Sequence, residues 1–358
     1  MRNRNRNHNP NRNLPLLKDL IRWFRKNKRD LPWRKNRTSY SVWISEIMLQ
    51  QTTVKAVIPF YEKWMKRFPD VRSVAKASEQ EILRMWEGLG YYTRAKNILK
   101  AAKIISAQFQ GQFPDDYRDV IKLPGIGPYT AGAILSIAFQ KLYPVMDANV
   151  RRVGRRILGL VSWDKKKEQE LLNFLKGMIP QKNPGEFNEG IMELGQTVCI
   201  AERPLCDKCP LTKFCIGFKK NIQDLIPGKA TRKITEKKTF LALIVSQGKL
   251  LIVKRNKGLL KDIWGFPEFQ EQGQIASFIK KEGGVDFAEI GKLKARVHHY
   301  TKFRDELSPF VYRVKKPFGR NTGNRRWVAF KDLENYPFPS IYRKILDELS
   351  LIPFHAKI

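Results

Sequence analysis

All four cysteines of this chain fall in one short stretch, spaced Cys199-x6-Cys206-x2-Cys209-x5-Cys215. No other feature restricts the fold as strongly, because so short a loop must turn repeatedly to bring four sulfurs together. Thiols grouped in this way, in a chain with no others, argue for a metal-thiolate site and against a disulfide-built secreted protein. The spacing lacks the paired Cys-x2-Cys knuckles of a zinc ribbon. Four thiolates in one loop suit an iron–sulfur cluster, with zinc as the alternative.

Lys208, Lys213, Lys219 and Lys220 surround that loop, and cationic charge is general in the chain. Sixty-eight Lys and Arg against 34 Asp and Glu leave +34 over 358 residues. Such a balance implies a polyanionic partner, nucleic acid ahead of a membrane surface. No apolar run approaches the length that spans a bilayer. Residues 1–13, Met1-Arg-Asn-Arg-Asn-Arg and onward, lack the apolar core of a secretory signal and read as a disordered basic arm. The expected setting is cytoplasmic and nucleoid-associated, for a monomer of two or three domains.

A helical hairpin is written into Leu123-Pro-Gly-Ile-Gly-Pro-Tyr-Thr-Ala-Gly132. Gly125 and Gly127 allow a sharp turn with bare amides, and Pro128 opens the second helix with its positive end at that turn. Such an end binds phosphate. Asp147 follows the helix. Taken alone, the stretch favours an ordinary hairpin whose aspartate caps the next helix. In a chain this cationic, it reads as a DNA-backbone clamp holding an acid beside a nucleotide.

Upstream, Leu14 to Lys28 has helical apolar spacing, and Asp30-Leu-Pro-Trp-Arg34 is a loop whose Trp33 and Arg34 offer flat faces to a base. The next helix, from Tyr40 toward Val54, places Glu46 among Ile44, Ile47, Met48 and Leu49. Val42, Glu46, Gln50 and Thr53 share one stripe. A partly exposed position is the plain reading of Glu46; a carboxyl kept protonated as a general acid is the other. Glu87-Gly-Leu-Gly-Tyr-Tyr92 is a second glycine-hinged turn, where one tyrosine belongs to the core and the other makes a wedge for a base stack. Arg151, Arg152, Arg155 and Arg156 crowd one helical stretch and are expected to contact phosphate. Glu189, on a helix from Phe187 to Cys199, is a second acid placed to touch a base.

Helices are expected through 14–220 and a polar linker over 221–238. A mixed α+β domain follows over 239–358, with a hairpin turning at Gln247-Gly248. Further strands are expected at Ala295–Tyr300, Phe310–Val314 and Arg326–Phe330, and helices near Ala276–Lys281 and Ser340–Leu349.

Together Leu31-Pro-Trp-Arg34, Trp43 through Val54, Gly88-Leu-Gly-Tyr-Tyr92, the hairpin and Val145-Met-Asp-Ala-Asn-Val150 resemble the MutY family of adenine DNA glycosylases, in the helix-hairpin-helix superfamily. The likeness runs from about Leu14 to the end of the chain. The hairpin and cysteines alone resemble endonuclease III equally. The resemblance implies a [4Fe–4S] cluster on Cys199, Cys206, Cys209 and Cys215. It also implies duplex DNA carrying 8-oxoguanine:adenine or guanine:adenine mispairs as substrate. By the same likeness Glu46 protonates adenine, Asp147 stabilises or traps the cationic sugar, and Tyr129 and Asn149 orient them. Bifunctional relatives carry a lysine where this chain has Tyr129, which implies a monofunctional enzyme. Leu31, Trp33, Arg34 and Glu189 match the base pocket, while Leu49, Gln51, Thr52 and Tyr91 match residues that contact the opposing lesion.

The C-terminal region resembles the family's Nudix-like lesion-recognition domain, with Trp264-Gly-Phe-Pro-Glu-Phe269 and Trp327-Val-Ala-Phe330. It carries no pyrophosphohydrolase signature and is expected to read without catalysis. Its reading loop departs from Phe-Ser/Thr-His: Tyr300 and Thr301 fit, and Lys302 replaces the histidine. A lysine there grips phosphate more and discriminates less.

Overall fold

The computed structural model describes residues 14–228, 234–256, 258, 260–300 and 302–351. The basic arm at 1–13, part of the linker and Thr301 therefore lie outside the described residues. Two compact units emerge, one from Met1–Lys76 with Asn97–Ala230, the other from Ala77–Lys96 with Thr231–Ile358. The short segment Ala77–Lys96 thus leaves the helical region that surrounds it in sequence and joins the C-terminal unit.

In chain order the first helices are α1 (Leu14–Asn27), α2 (Pro32–Lys35), α3 (Ser39–Leu49), α4 (Val54–Arg67), α5 (Val71–Lys76), α6 (Glu79–Met85) and α7 (Thr93–Gln108). They are followed by α8 (Tyr117–Val120), α9 (Pro128–Ile137), α10 (Ala148–Leu158), α11 (Lys165–Met178), α12 (Pro184–Thr197) and α13 (Ile216–Lys219). Of these, α6 and the first turn of α7 belong to the second unit.

Leu16, Leu20 and Phe24 form the buried stripe of α1, where Gly190 of α12 lets the two helices approach: a Cβ there would stand 3.3 Å from that of Phe24. Helix α3 is buried from Tyr40 to Met48 and capped by Thr38, whose hydroxyl accepts from the Ser41 amide. It stops at Leu49, earlier than its apolar run predicts, because Gln51 turns left-handed at φ 55° before α4 begins. Helix α9 is buried from Thr130 to Ile137, and a Cβ on Gly132 would meet the Pro144 carbonyl at 3.3 Å. Its small residues are what permit that approach.

The arginines of α10 are not the phosphate-facing row that their charge predicts. Arg156 is buried and donates to the carbonyls of Ile200, Ala201, Gln223 and Ile226. Arg155 is buried on Leu160 O and Val161 O, and Arg152 spans Gly195 O and Cys199 O. Arg151 pairs with Glu168. Chain ends and turns that run out of hydrogen bonds supply acceptors, and arginine satisfies several at once.

The second unit holds one mixed sheet of β1 (Thr235–Ser246), β2 (Lys249–Lys254), β3 (Trp264–Gly265), β4 (Glu268–Phe269), β5 (Phe287–Lys292), β6 (Arg296–Tyr300), β7 (Phe303–Val314) and β8 (Arg325–Ala329). Its main order is β3-β2-β1-β7-β5, with β4 on β1, β6 on β7 and β8 on β2. The long β1–β7 pair is parallel, from Thr235 against Phe303 to Val245 against Arg313. Gln247 and Gly248 are both left-handed, the conformation that a two-residue hairpin requires. Alternate residues of β1 feed two cores: Leu241 and Leu243 pack beneath α15 (Ser340–Ser350), while Ala242 and Ile244 pack beneath α14 (Gly273–Lys281).

Both ends of the expected boundary move. Thr235–Lys238, expected as linker, is strand, and Ile226 is fully buried. Strand β7 begins at Phe303, well before the expected Phe310, because its charged residues Arg304 and Asp305 conceal the pattern.

Candidate active site

Eleven side chains expected to carry chemistry or contact a base line one cavity of about 1060 Å³ in the first unit. They are Leu31, Trp33, Arg34, Glu46, Leu49, Gln51, Thr52, Tyr129, Asp147, Asn149 and Glu189. The stripe Val42, Glu46, Gln50 and Thr53 also faces this space.

Glu46 is 6% exposed, and its Oε2 accepts from the Tyr129 hydroxyl at 2.6 Å. Burial pushes its carboxyl up from 4.5 to about 7, with the charges of Asp147 and Glu189 adding to it; the Tyr129 bond and Arg34 act against it. Burial, with Glu46 and Asp147 nearby, holds Tyr129 well above its ordinary value, so it stays a donor.

Asp147 caps α10: Oδ1 accepts from the Val150 amide at 2.7 Å. Its other oxygen accepts from Asn149 Nδ2 at 2.8 Å. Asn149 in turn accepts from Arg152 at 3.0 Å, and Arg152 is fixed by Gly195 O and Cys199 O. The capping role and the placement of an acid in the cavity are therefore compatible. Gly195 closes this arrangement, since a Cβ there would stand 2.8 Å from that of Asn149.

On the opposite wall Arg34 donates to Glu189 at 3.1 Å, Glu193 at 2.9 Å and Arg29 O at 3.0 Å. Its guanidinium is thus engaged, and Trp33 is buried edge-on to Tyr61. Arg29 completes the set with bonds to Glu193 and Gln196. Burial pushes Glu189 up against the opposition of Arg37 and Arg34. Its Oε2 lies 3.1 Å from Arg37 but has no aligned hydrogen bond. For Glu193 burial is outweighed by Arg29 and Arg34, which hold it below the usual range. Sequence reasoning missed Arg29, Arg37 and Glu193, and assigned Arg152 to phosphate where it instead holds Asn149. Only Glu193 left a signal, standing four residues after Glu189 on one helix.

The four cysteines line a separate small cavity together with Arg156 and Thr212. Arg156 lies 3.3 Å from Cys199 Sγ. Burial, then the neighbouring thiols, raises Cys206, and Cys209 is pushed to about 12, chiefly by burial. Among the described residues no group of three His, Cys, Asp or Glu is placed to hold a single ion.

Other expected residues sit elsewhere. Gly125 is left-handed at φ 80°, and a Cβ on it would strike Asn97 at 2.8 Å. Gly127 is different: it has no positive φ, and a Cβ there would meet nothing. Only the first glycine is required by the turn itself. In the second unit Tyr91 is 40% exposed while Tyr92 is buried. Tyr300 ends β6 and donates to Asp305 at 3.0 Å, and Lys302 is exposed on the turn into β7.

Residues 44–177 match the HhH-GPD superfamily of base excision DNA repair proteins, and residues 239–348 match the NUDIX domain. An adenine DNA glycosylase of Buchnera aphidicola subsp. Acyrthosiphon pisum is 36% identical over 335 residues, 92% of this chain and 95% of its own. The chain belongs to the adenine DNA glycosylases. The mouse member is 39% identical over 394 residues, covering 91% of this chain and 76% of that one. Family membership makes this a base-excision-repair enzyme that releases adenine from DNA. Among solved structures, a thermostable thymine-DNA glycosylase overlays with a TM-score of 0.55 at 26% identity, over 59% of this chain and 98% of the other. Endonuclease III in a non-covalent complex with DNA gives 0.52 at 22% identity, over 60% and 99%, a likeness of fold. No described helix is long and apolar enough to cross a membrane.

Proposed function

We propose that this enzyme hydrolyses the glycosidic bond of adenine paired with 8-oxoguanine or guanine, without cutting the strand. The observation that carries the reading is Glu46, a buried carboxyl that titrates near neutrality in the same cavity as Asp147. Adenine flipped out of the duplex enters that cavity. Protonated Glu46 donates to the ring nitrogen N7, which makes the base a better leaving group. The Asp147 carboxylate, held by Asn149 and the Val150 amide, stabilises the oxocarbenium-like sugar. Water completes hydrolysis, with Glu46 now able to take its proton. Tyr129 occupies the position that carries a lysine in bifunctional relatives, so the attacking amine of those enzymes is lacking there. Glu189 Oε2, buried without an aligned partner, is an acceptor for the exocyclic amine of the base.

Leu49, Gln51, Thr52, Tyr91, Tyr300, Thr301 and Lys302 are assigned to the opposing lesion and its gap, and the Gly125–Gly127 turn to backbone phosphate. Cys199, Cys206, Cys209 and Cys215 are assigned to a [4Fe–4S] cluster. All four border one small cavity with Arg156 beside Cys199, a donor set that fits a thiolate-ligated cluster. A cluster held by these four cysteines would cross-link the loop between Cys199 and Cys215.

The test incubates enzyme with duplexes carrying 8-oxoguanine:adenine, guanine:adenine and guanine:thymine, then cleaves abasic sites with alkali. Adenine release from the first two, without strand cutting before alkali, is expected. Cleavage before alkali, or release of thymine, would overturn the reading. Iron and sulfide assays on the purified protein decide the metal.

A further inference from the structure

The exposed Tyr91 does not sit on a pliant loop. Gly88 and Gly90 are left-handed at φ 101° and 76°, and Tyr91 itself is at φ 49°, a conformation costly for a bulky residue. Its surroundings hold it there. Arg94, buried beneath the turn, donates to Leu89 O at 3.2 Å and Gly90 O at 3.0 Å, with its guanidinium 5.4 Å from the Tyr91 ring. Trp86 Nε1 donates to Gly90 O at 2.9 Å.

The rigid turn is in turn fastened within the second unit. Arg343 of α15 clamps Glu87 with two parallel bonds, Nε to Oε1 at 2.7 Å and Nη2 to Oε2 at 3.1 Å. The same guanidinium donates to Tyr336 O at 2.8 Å. Tyr92 donates to Phe338 O at 3.0 Å, Gln80 to Asn335 O at 2.7 Å, and Lys96 pairs with Asp262. A bidentate arginine–carboxylate pair fixes orientation as well as distance.

We propose that Arg343, acting through Glu87, positions Tyr91, so that the side chain entering the base stack meets DNA already ordered. The inference rests on the reading of Tyr91 as a DNA contact. Glu87 and Arg343 are positioning residues: neither touches the base that leaves. Their contribution is to order the turn before DNA arrives, which lowers the cost of binding.

A double-mutant cycle on single-turnover adenine release from an 8-oxoguanine:adenine duplex tests it, with 2-aminopurine beside the lesion reporting unstacking. Tyr91→Ala is expected to slow release about tenfold through loss of the wedge. Glu87→Ala should slow it about threefold and lower the 2-aminopurine signal, yet add nothing when Tyr91 is already alanine. Arg343→Lys, which retains charge but not the paired geometry, should behave as Glu87→Ala does. Multiplicative effects of Glu87→Ala and Tyr91→Ala, or an unchanged Glu87→Ala enzyme, would overturn the positioning role. A normal rate for Tyr91→Ala would instead remove Tyr91 from the DNA contacts, and the proposal with it.

Discussion

On the proposed mechanism, Glu46 ties the chemistry of this enzyme to its stability. Its carboxyl titrates near 7 in the folded chain and near 4.5 when unperturbed, chiefly because it is buried. Between those values the folded state binds more protons than the unfolded one, so stability falls as pH rises through the window. The full shift corresponds to roughly 3 kcal/mol above neutrality. Glu46→Gln should therefore raise the melting temperature at pH 8 and leave it unchanged at pH 4, while release of adenine falls by at least about a hundredfold. Equal melting gains at both pH values would contradict the titration argument. The wild-type rate should decline above neutral pH as the proton donor is lost. Asp147→Asn separates two proposed duties of one residue: asparagine still caps α10 through its one oxygen, but its amide then faces Asn149 Nδ2 donor to donor, so stability should fall by about 1 kcal/mol, while release is abolished. Normal single-turnover release in that variant would sink the assignment of Asp147. The sequence left Glu46 open between a partly exposed position and a protonated acid, because its flanking Ile44 and Ile47 do not say which face is buried; the fold buries it. The role of Arg152 was not legible, since two of its three partners are the backbone carbonyls of Gly195 and Cys199, which no side-chain pattern announces.

Helix α10 and the cysteine loop form one structural element through Arg156. Its guanidinium satisfies carbonyls on both sides of the loop, so Arg156→Met would strand several buried acceptors at once. A loss of about 3 kcal/mol is expected from melts and, if the proposed cluster is bound, a lower iron content in the purified protein. A variant that keeps normal iron and normal melting would show that the loop holds itself. The helical periodicities of α1 and α12 and the thin α9 could be read from sequence, because burial selects their apolar faces. The arginine row of α10 could not, since a charge facing carbonyls and a charge facing phosphate look alike in sequence. Strand β7 was half concealed for a related reason: Asp305, buried, accepts from Thr239 and Tyr300, and only the fold supplies those partners.

For the molecule as a whole, the two-part division was legible in the change from helical to alternating apolar spacing. The place of Ala77–Lys96 was not, because its membership depends on distant partners such as Arg343. A net charge of +34 supplies affinity that is independent of sequence, and selectivity then depends on what the second unit presents. Lys302, exposed at the hairpin tip, should favour phosphate over base. Lys302→His is expected to increase the rate ratio of 8-oxoguanine:adenine over guanine:adenine duplexes; an unchanged ratio would acquit that position. Gly195 carries a different lesson, about inheritance rather than energy. A descendant with alanine there would retain both carboxylates, all four cysteines and every motif by which such a chain is recognised. Yet the added methyl would collide with Asn149, the partner of Asp147, and the gene would still be read as a working repair enzyme.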